Sequence, residues 1–230
     1  MHKIVFGFLL LLITFGLNAQ SEEDSAYYED YTKDTNSVFH FGFIMGGSAH
    51  GLLYSDDNDL AKTDTFNILN SKVQFGLSIG IIIEKDFSEK LWLRSGVHIN
   101  LSKLNLDYMY RNEHINYTFN YSSLEFPIWL QYSFKNKRRG LSWGGGFTSS
   151  VDITRKSDKK VRDISFNSFD LLVGTGPSWR WMLPSGSYLN TSLVLNIGVL
   201  NFIDESSEKV INQYIVSTHR WQLQLFISLN

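Results

Sequence analysis

Cysteine is absent from the 230 residues. That excludes disulfides, thiolate metal sites and a lipidated N-terminal cysteine, so the compartment has to be read from targeting signals. Charge is scarce as well: 19% of residues are charged against 43% hydrophobic and 15% aromatic, with a mean hydropathy of -0.14. This balance is too apolar for a disordered chain and too polar for a helical membrane bundle, and it suits a β-rich chain with one greasy face. No charge of one sign dominates, since the net charge is -2 and the pI about 6.3. Without a basic field, nucleic acid is excluded as a partner class. Beyond the first twenty residues no apolar run is long enough for a spanning helix, so further membrane contact falls to strands or to the surface. The length fits one ordinary domain or one closed barrel.

What is present begins with an export signal. Lys3 gives a short positive start, residues 4–17 form an almost unbroken apolar run, and Leu17-Asn18-Ala19 is a small-residue cleavage site before Gln20. A spanning helix needs roughly 20 apolar residues and this run is shorter, so residues 1–19 read as a cleaved signal peptide. Residues 20–37 differ in composition from everything after them. Glu22, Glu23, Asp24, Glu29, Asp30 and Asp34 stand against Lys33, interleaved with Tyr27, Tyr28 and Tyr31. They read as an acidic, flexible periplasmic tail, either a docking segment for a partner or a solvated linker.

From Val38 to Asn230 the pattern is alternation with period two, which marks strands and not helices. Phe39, Phe41, Phe43 and Met45 share one parity, and Val73, Phe75, Leu77, Ile79, Ile81 and Ile83 another, broken by Ile82. Further strands are expected over 91–103, where Trp92 breaks the polar side, and over 123–134, where Pro127 and Trp129 do. Four more follow at 141–153, 167–183, 188–200 and 215–229. The expected connections alternate strictly: short near 86–90, 135–140 and 184–187, long and polar over 50–71, 105–116, 154–166 and 201–214. Tight periplasmic turns facing longer extracellular loops are the habit of outer-membrane barrels, with both chain ends in the periplasm. The expected fold is therefore all-β, an eight-stranded antiparallel up-and-down transmembrane β-barrel.

Glycine decides which face points inward. Gly42, Gly46, Gly76, Gly80, Gly96, Gly144, Gly146, Gly174, Gly176 and Gly198 lie opposite the large apolar residues. A small barrel has room inside only for small residues and a few long polar ones. A soluble, lipocalin-like inversion would crowd Trp143, Trp179, Trp181 and Trp221 into that space. With the apolar face outward, Tyr132, Trp179, Trp181 and Trp221 become interfacial aromatics and outer-membrane lipid becomes the partner. Glu84, Arg94, Glu125, Asp170, Arg180 and Arg220 then fall inside, where unpaired charge would be costly, so a mutual network that plugs the lumen is expected. Pro127 and Pro177 each remove a ladder hydrogen bond from a sheet without edges, and bulges are expected there.

The search for chemistry gives little. Gly144-Gly145-Gly146 and Gly174-Thr175-Gly176 open no helix and are followed by no Lys-Ser or Lys-Thr, so they are not phosphate loops. No histidine spacing suits a metal, and neither a cofactor nor a catalytic constellation is expected. One enzymatic alternative is Ser217 with His219, two apart near the extracellular end of the last strand, as in a lipid A deacylase, although no acidic residue to orient the histidine is identifiable. An adhesin-like or purely structural barrel is the other alternative.

The terminal Asn-Ala-Gln of the export signal, the glycine-spaced strands and the run Leu124-Glu125-Phe126-Pro127-Ile128-Trp129-Leu130-Gln131-Tyr132 before the glycine-rich strand resemble the PorT-like outer-membrane β-barrel family of Bacteroidetes. The resemblance covers roughly residues 39–229 and implies a non-enzymatic accessory role in type IX protein secretion and gliding motility. Secretion-machinery proteins would then engage the loops or the acidic tail. Two departures from barrel habit stand out: the chain ends in Asn230 instead of an aromatic, and Phe226 is out of phase with the lipid face.

Overall fold

The computed structural model describes residues 39–55, 66–88, 90–110, 113–135, 140–154, 166–183, 187–203 and 217–229. The expected signal peptide and acidic tail lie outside these residues. Nine strands are described: β1 (Phe39–Ser55), β2 (Phe66–Asn70), β3 (Gln74–Asp86), β4 (Leu91–Tyr110), β5 (Glu113–Ser133), β6 (Gly140–Asp152), β7 (Phe169–Met182), β8 (Tyr188–Gly198) and β9 (Ser217–Leu229). Eight of them close a ring in the order β1-β3-β4-β5-β6-β7-β8-β9, every pair antiparallel, with β9 returning to β1. Closure leaves the ring without a free edge, which is what lets strands span a bilayer.

Alternation produces the two faces directly. Along β1 and β3, Phe41, Phe43, Met45, Phe75, Leu77 and Ile79 are each more than 60% exposed, while Ile44, Ser48, Ser78 and Ile82 are buried. The exposed apolar side chains form the outer wall and continue around β5, β6, β7 and β9 through Ile128, Phe147, Val173 and Ile227. A wall this apolar would be untenable in water and is what hydrocarbon requires.

Three expectations are corrected. Residues 105–116 are not a loop: β4 and β5 stay paired from Leu104↔Phe119 up to Tyr110↔Glu113, as a hairpin that continues past the expected strand ends. Its alternation of Leu104, Leu106, Tyr108, Ile115, Tyr117 and Phe119 with Asn, Asp and Thr is a strand pattern, and the polar side chains bridge neighbouring strands. Asn105 Nδ2 donates to Asn116 Oδ1 at 3.0 Å and to Thr118 Oγ1 at 2.8 Å. Likewise β1 runs on to Ser55, and the short β2 pairs with the far end of β4. Finally, neither proline sits in a bulge. Between β4 and β5 the pairing stops after Ser95↔Ile128 and resumes at His98↔Glu125 in unchanged register. Between β7 and β8 it stops after Thr175↔Leu195 and resumes at Ser178↔Ser192, again unchanged. Each proline thus interrupts one ladder without inserting a residue. Its other side stays paired, Pro127 with Thr148 and Pro177 with Trp143.

Candidate functional site

The inward-facing side chains fill the lumen in layers, and the charged ones divide into two clusters. Nearest the short turns, Glu84 on β3 is fully buried between two arginines. Arg94 Nε on the neighbouring β4 donates to Glu84 Oε1 at 2.7 Å, and its Nη1 reaches Ser192 Oγ on β8 at 3.0 Å. Arg180 Nη2 donates to Glu84 Oε2. Because β7 lies across the ring from β3, that contact spans the lumen. The Arg180 guanidinium also lies over the rings of Trp92, 4.2 Å from the centroid, and Tyr188, and its Nε donates to Asn190 Oδ1 at 2.9 Å. His40 and Asp86 pair at 2.9 Å beside it.

Toward the other end Glu125 on β5 is the centre, again with no exposure. His98 Nε2 lies 2.8 Å from Glu125 Oε2, Ser123 Oγ donates to Oε1 at 3.0 Å, and Asn100 and Gln224 donate at 3.3 Å each. Arg220 on β9, across the ring from β5, places Nη1 3.5 Å from Glu125 Oε1 and Nε 3.3 Å from Asp170 Oδ2. All six charged residues singled out in the sequence therefore face inward. The structure brings them together as Glu84–Arg94–Arg180 and Glu125–Arg220–Asp170, not as one network. The Glu84 and Glu125 carboxylates are each ringed by donors, as buried charge requires, whereas Arg220 and Asp170 are held by charge pairing alone.

Between the clusters lies an apolar septum of Ile44, Ile82, Trp129, Val194 and Phe226. Sequence reasoning did not assemble it. Its signal was the set of phase errors, Ile82, Trp129 and Phe226, large apolar residues on the polar parity. Glycine makes the space: a Cβ on Gly46 would lie 2.6 Å from the Phe226 ring, and one on Gly174 would lie 2.7 Å from the Trp129 ring. Above the second cluster the β4–β5 hairpin folds over the mouth. Leu52, Leu104, Leu106, Tyr108, Phe119 and Tyr121 pack there with Phe202 and Ile203 of the β8–β9 connection. Phe166 stacks on Phe119 at 4.8 Å and meets Phe202 at 5.4 Å.

The interfacial candidates all stand on the outer wall. Tyr132 is 46% exposed beside Phe134, Trp179 and Trp181 are half-buried with ring centroids 6.2 Å apart, and the Trp221 indole lies against Gly51, where a Cβ would not fit. Ser217 and His219 share the outer parity of Trp221. His219 Nδ1 lies 3.2 Å from the Leu200 carbonyl, and no carboxylate among the described residues bonds to it. No group of His, Asp or Glu among the described residues could hold a metal ion.

A closed eight-strand ring with a lipid-compatible wall and a filled lumen meets an independent finding at this point: residues 18–204 match the model of the family described as outer membrane protein beta-barrel domain. The chain belongs to that family. Its location is accordingly the outer membrane. Among solved structures it is similar to the outer membrane protein OprG from Pseudomonas aeruginosa, at 11% identity and a TM-score of 0.42, over 82% of this chain and 94% of that one. No curated protein matches it.

Proposed function

We propose that this outer-membrane barrel is neither a channel nor an enzyme and acts through its surfaces, as an accessory component of type IX protein secretion. One observation carries the reading: the lumen is closed at successive levels by the Glu84 cluster, the Trp129–Phe226 septum, the Glu125 cluster and the aromatic cap. Eight strands enclose little more than their own side chains, and here those side chains tie opposite walls together. What can meet a partner is then the extracellular hairpin, the outer wall and the N-terminal segment. The setting in type IX secretion is supported by the PorT-like run at residues 124–132 and the glycine-rich strand after it.

The test is deletion of the gene followed by assays of secreted proteins and of surface motility. Loss of both, restored by the full chain, is the expected result; intact secretion removes the proposal. If lipid A acylation changes instead, the Ser217 and His219 alternative takes its place. In a variant lacking residues 21–36 but keeping the signal, the barrel should still insert and its crosslinks to partners should disappear. Undiminished crosslinking would make that segment a solvated linker.

A further inference from the structure

Among the described residues, the lysines fall in one sector of the barrel. The lysines among the described residues are Lys72, Lys85, Lys90, Lys103 and Lys135, all on β3, on β4 or on the connections of β3, β4 and β5; none belongs to β6 through β9. At the short-turn end, which barrel convention places in the periplasm, Lys85 occupies a built environment. It is the cross-strand partner of Phe39, and its Nζ lies 5.2 Å from the Phe39 ring centroid and 5.8 Å from that of Phe87. Both rings belong to the outer wall, 53% and 55% exposed. Two aromatic faces thus hold an ammonium at the edge of the apolar belt, the depth at which phospholipid phosphates lie.

No carboxylate among the described residues pairs with Lys85: its two acidic neighbours in sequence, Glu84 and Asp86, both point inward, where Glu84 is bonded to Arg94 and Arg180 and Asp86 to His40. Lys90 lies on the same turn, and its carbonyl accepts from Ser133 N at 2.8 Å, which brings the start of the β5–β6 connection, with Lys135, alongside. We infer that this rim holds an anionic glycerophospholipid of the inner leaflet, its phosphate at Lys85 and Lys90 and its chains along the Phe39, Phe41 and Phe87 wall. The inference rests on membrane placement alone and stands whether or not the secretion proposal does.

Native mass spectrometry of the full-length protein in detergent, titrated with dioleoyl phosphatidylglycerol or dioleoyl phosphatidylcholine, tests it. Tighter binding of phosphatidylglycerol is expected. Lys85→Gln should weaken it about fivefold and the Lys85→Gln/Lys90→Gln double variant further, as removal of single cations near a charged bilayer surface does. Lys103→Gln, at the far end of β4, should leave it unchanged. Excess inorganic phosphate should not displace the lipid; displacement would mean a simple phosphate site and would overturn the inference. Equal affinity for the two lipids, or a preference that survives Lys85→Gln in protein that still migrates as a folded barrel, would overturn it as well.

Discussion

Loss of Glu84 or Glu125 should strongly destabilise the barrel, because each is fully buried and tied to an arginine from the opposite wall. Replacing Glu84 by Leu strands Arg94 and Arg180, and replacing Glu125 leaves Arg220 with Asp170 alone and His98 without its acceptor. Breaking a buried pair on one side costs about 3–5 kcal/mol. Either variant should therefore unfold at a markedly lower urea concentration in lipid or micelles; an unchanged midpoint would show that the pairs do not support the barrel. A lumen-facing glycine gives a second residue-scale prediction. A Cβ on Gly146 would run into the Ile128 carbonyl, which is backbone and cannot move aside as a side-chain tip can. Gly146→Ala should lower the same urea midpoint by more than an Ala substitution at Gly145, which faces outward with its nearest neighbour 3.5 Å away.

At the scale of elements, the β4–β5 hairpin is where sequence and structure part. The parity of Leu104, Leu106, Tyr108, Tyr117 and Phe119 was visible. Interspersed Asn, Asp and Thr read as loop because, inside the membrane span, that face would have met lipid. The structure explains them by side-chain bridges between strands outside the membrane, such as Asn116 Nδ2 donating to Asp107 Oδ2 at 3.1 Å. The hairpin rests on its aromatic core and not on the wall, so Phe119→Ala should act locally. Truncating a buried Phe costs about 3–5 kcal/mol. Hydrogen exchange of residues 104–119 should accelerate, with heat-modifiable migration of the barrel intact; acceleration spread evenly over β7 and β8 would show that hairpin and barrel form one cooperative unit. The two prolines were legible as ladder breaks but not in their remedy. A bulge was expected where the strands keep register and leave a short stretch unpaired.

For the whole molecule, fold and face assignment followed from period two and from the glycines, because a lipid-facing wall and a narrow lumen impose opposite size rules on the two parities. The inward position of Glu84, Arg94, Glu125, Asp170, Arg180 and Arg220 followed from the same parity. Their division into two clusters did not, since it depends on which strands face each other across the closed ring, and the order of pairing fixes height along the axis only in three dimensions. Phase errors such as Trp129 and Phe226 carry information of that kind. They look like exceptions strand by strand and become a layer once the ring closes.

The central claim, a barrel filled from end to end, is tested most directly by ion conductance of the purified protein in a planar bilayer. The filled lumen predicts no resolvable conductance steps for the parent protein at moderate voltage. Reproducible steps of constant size, present in the parent and absent from protein-free bilayers, would contradict it.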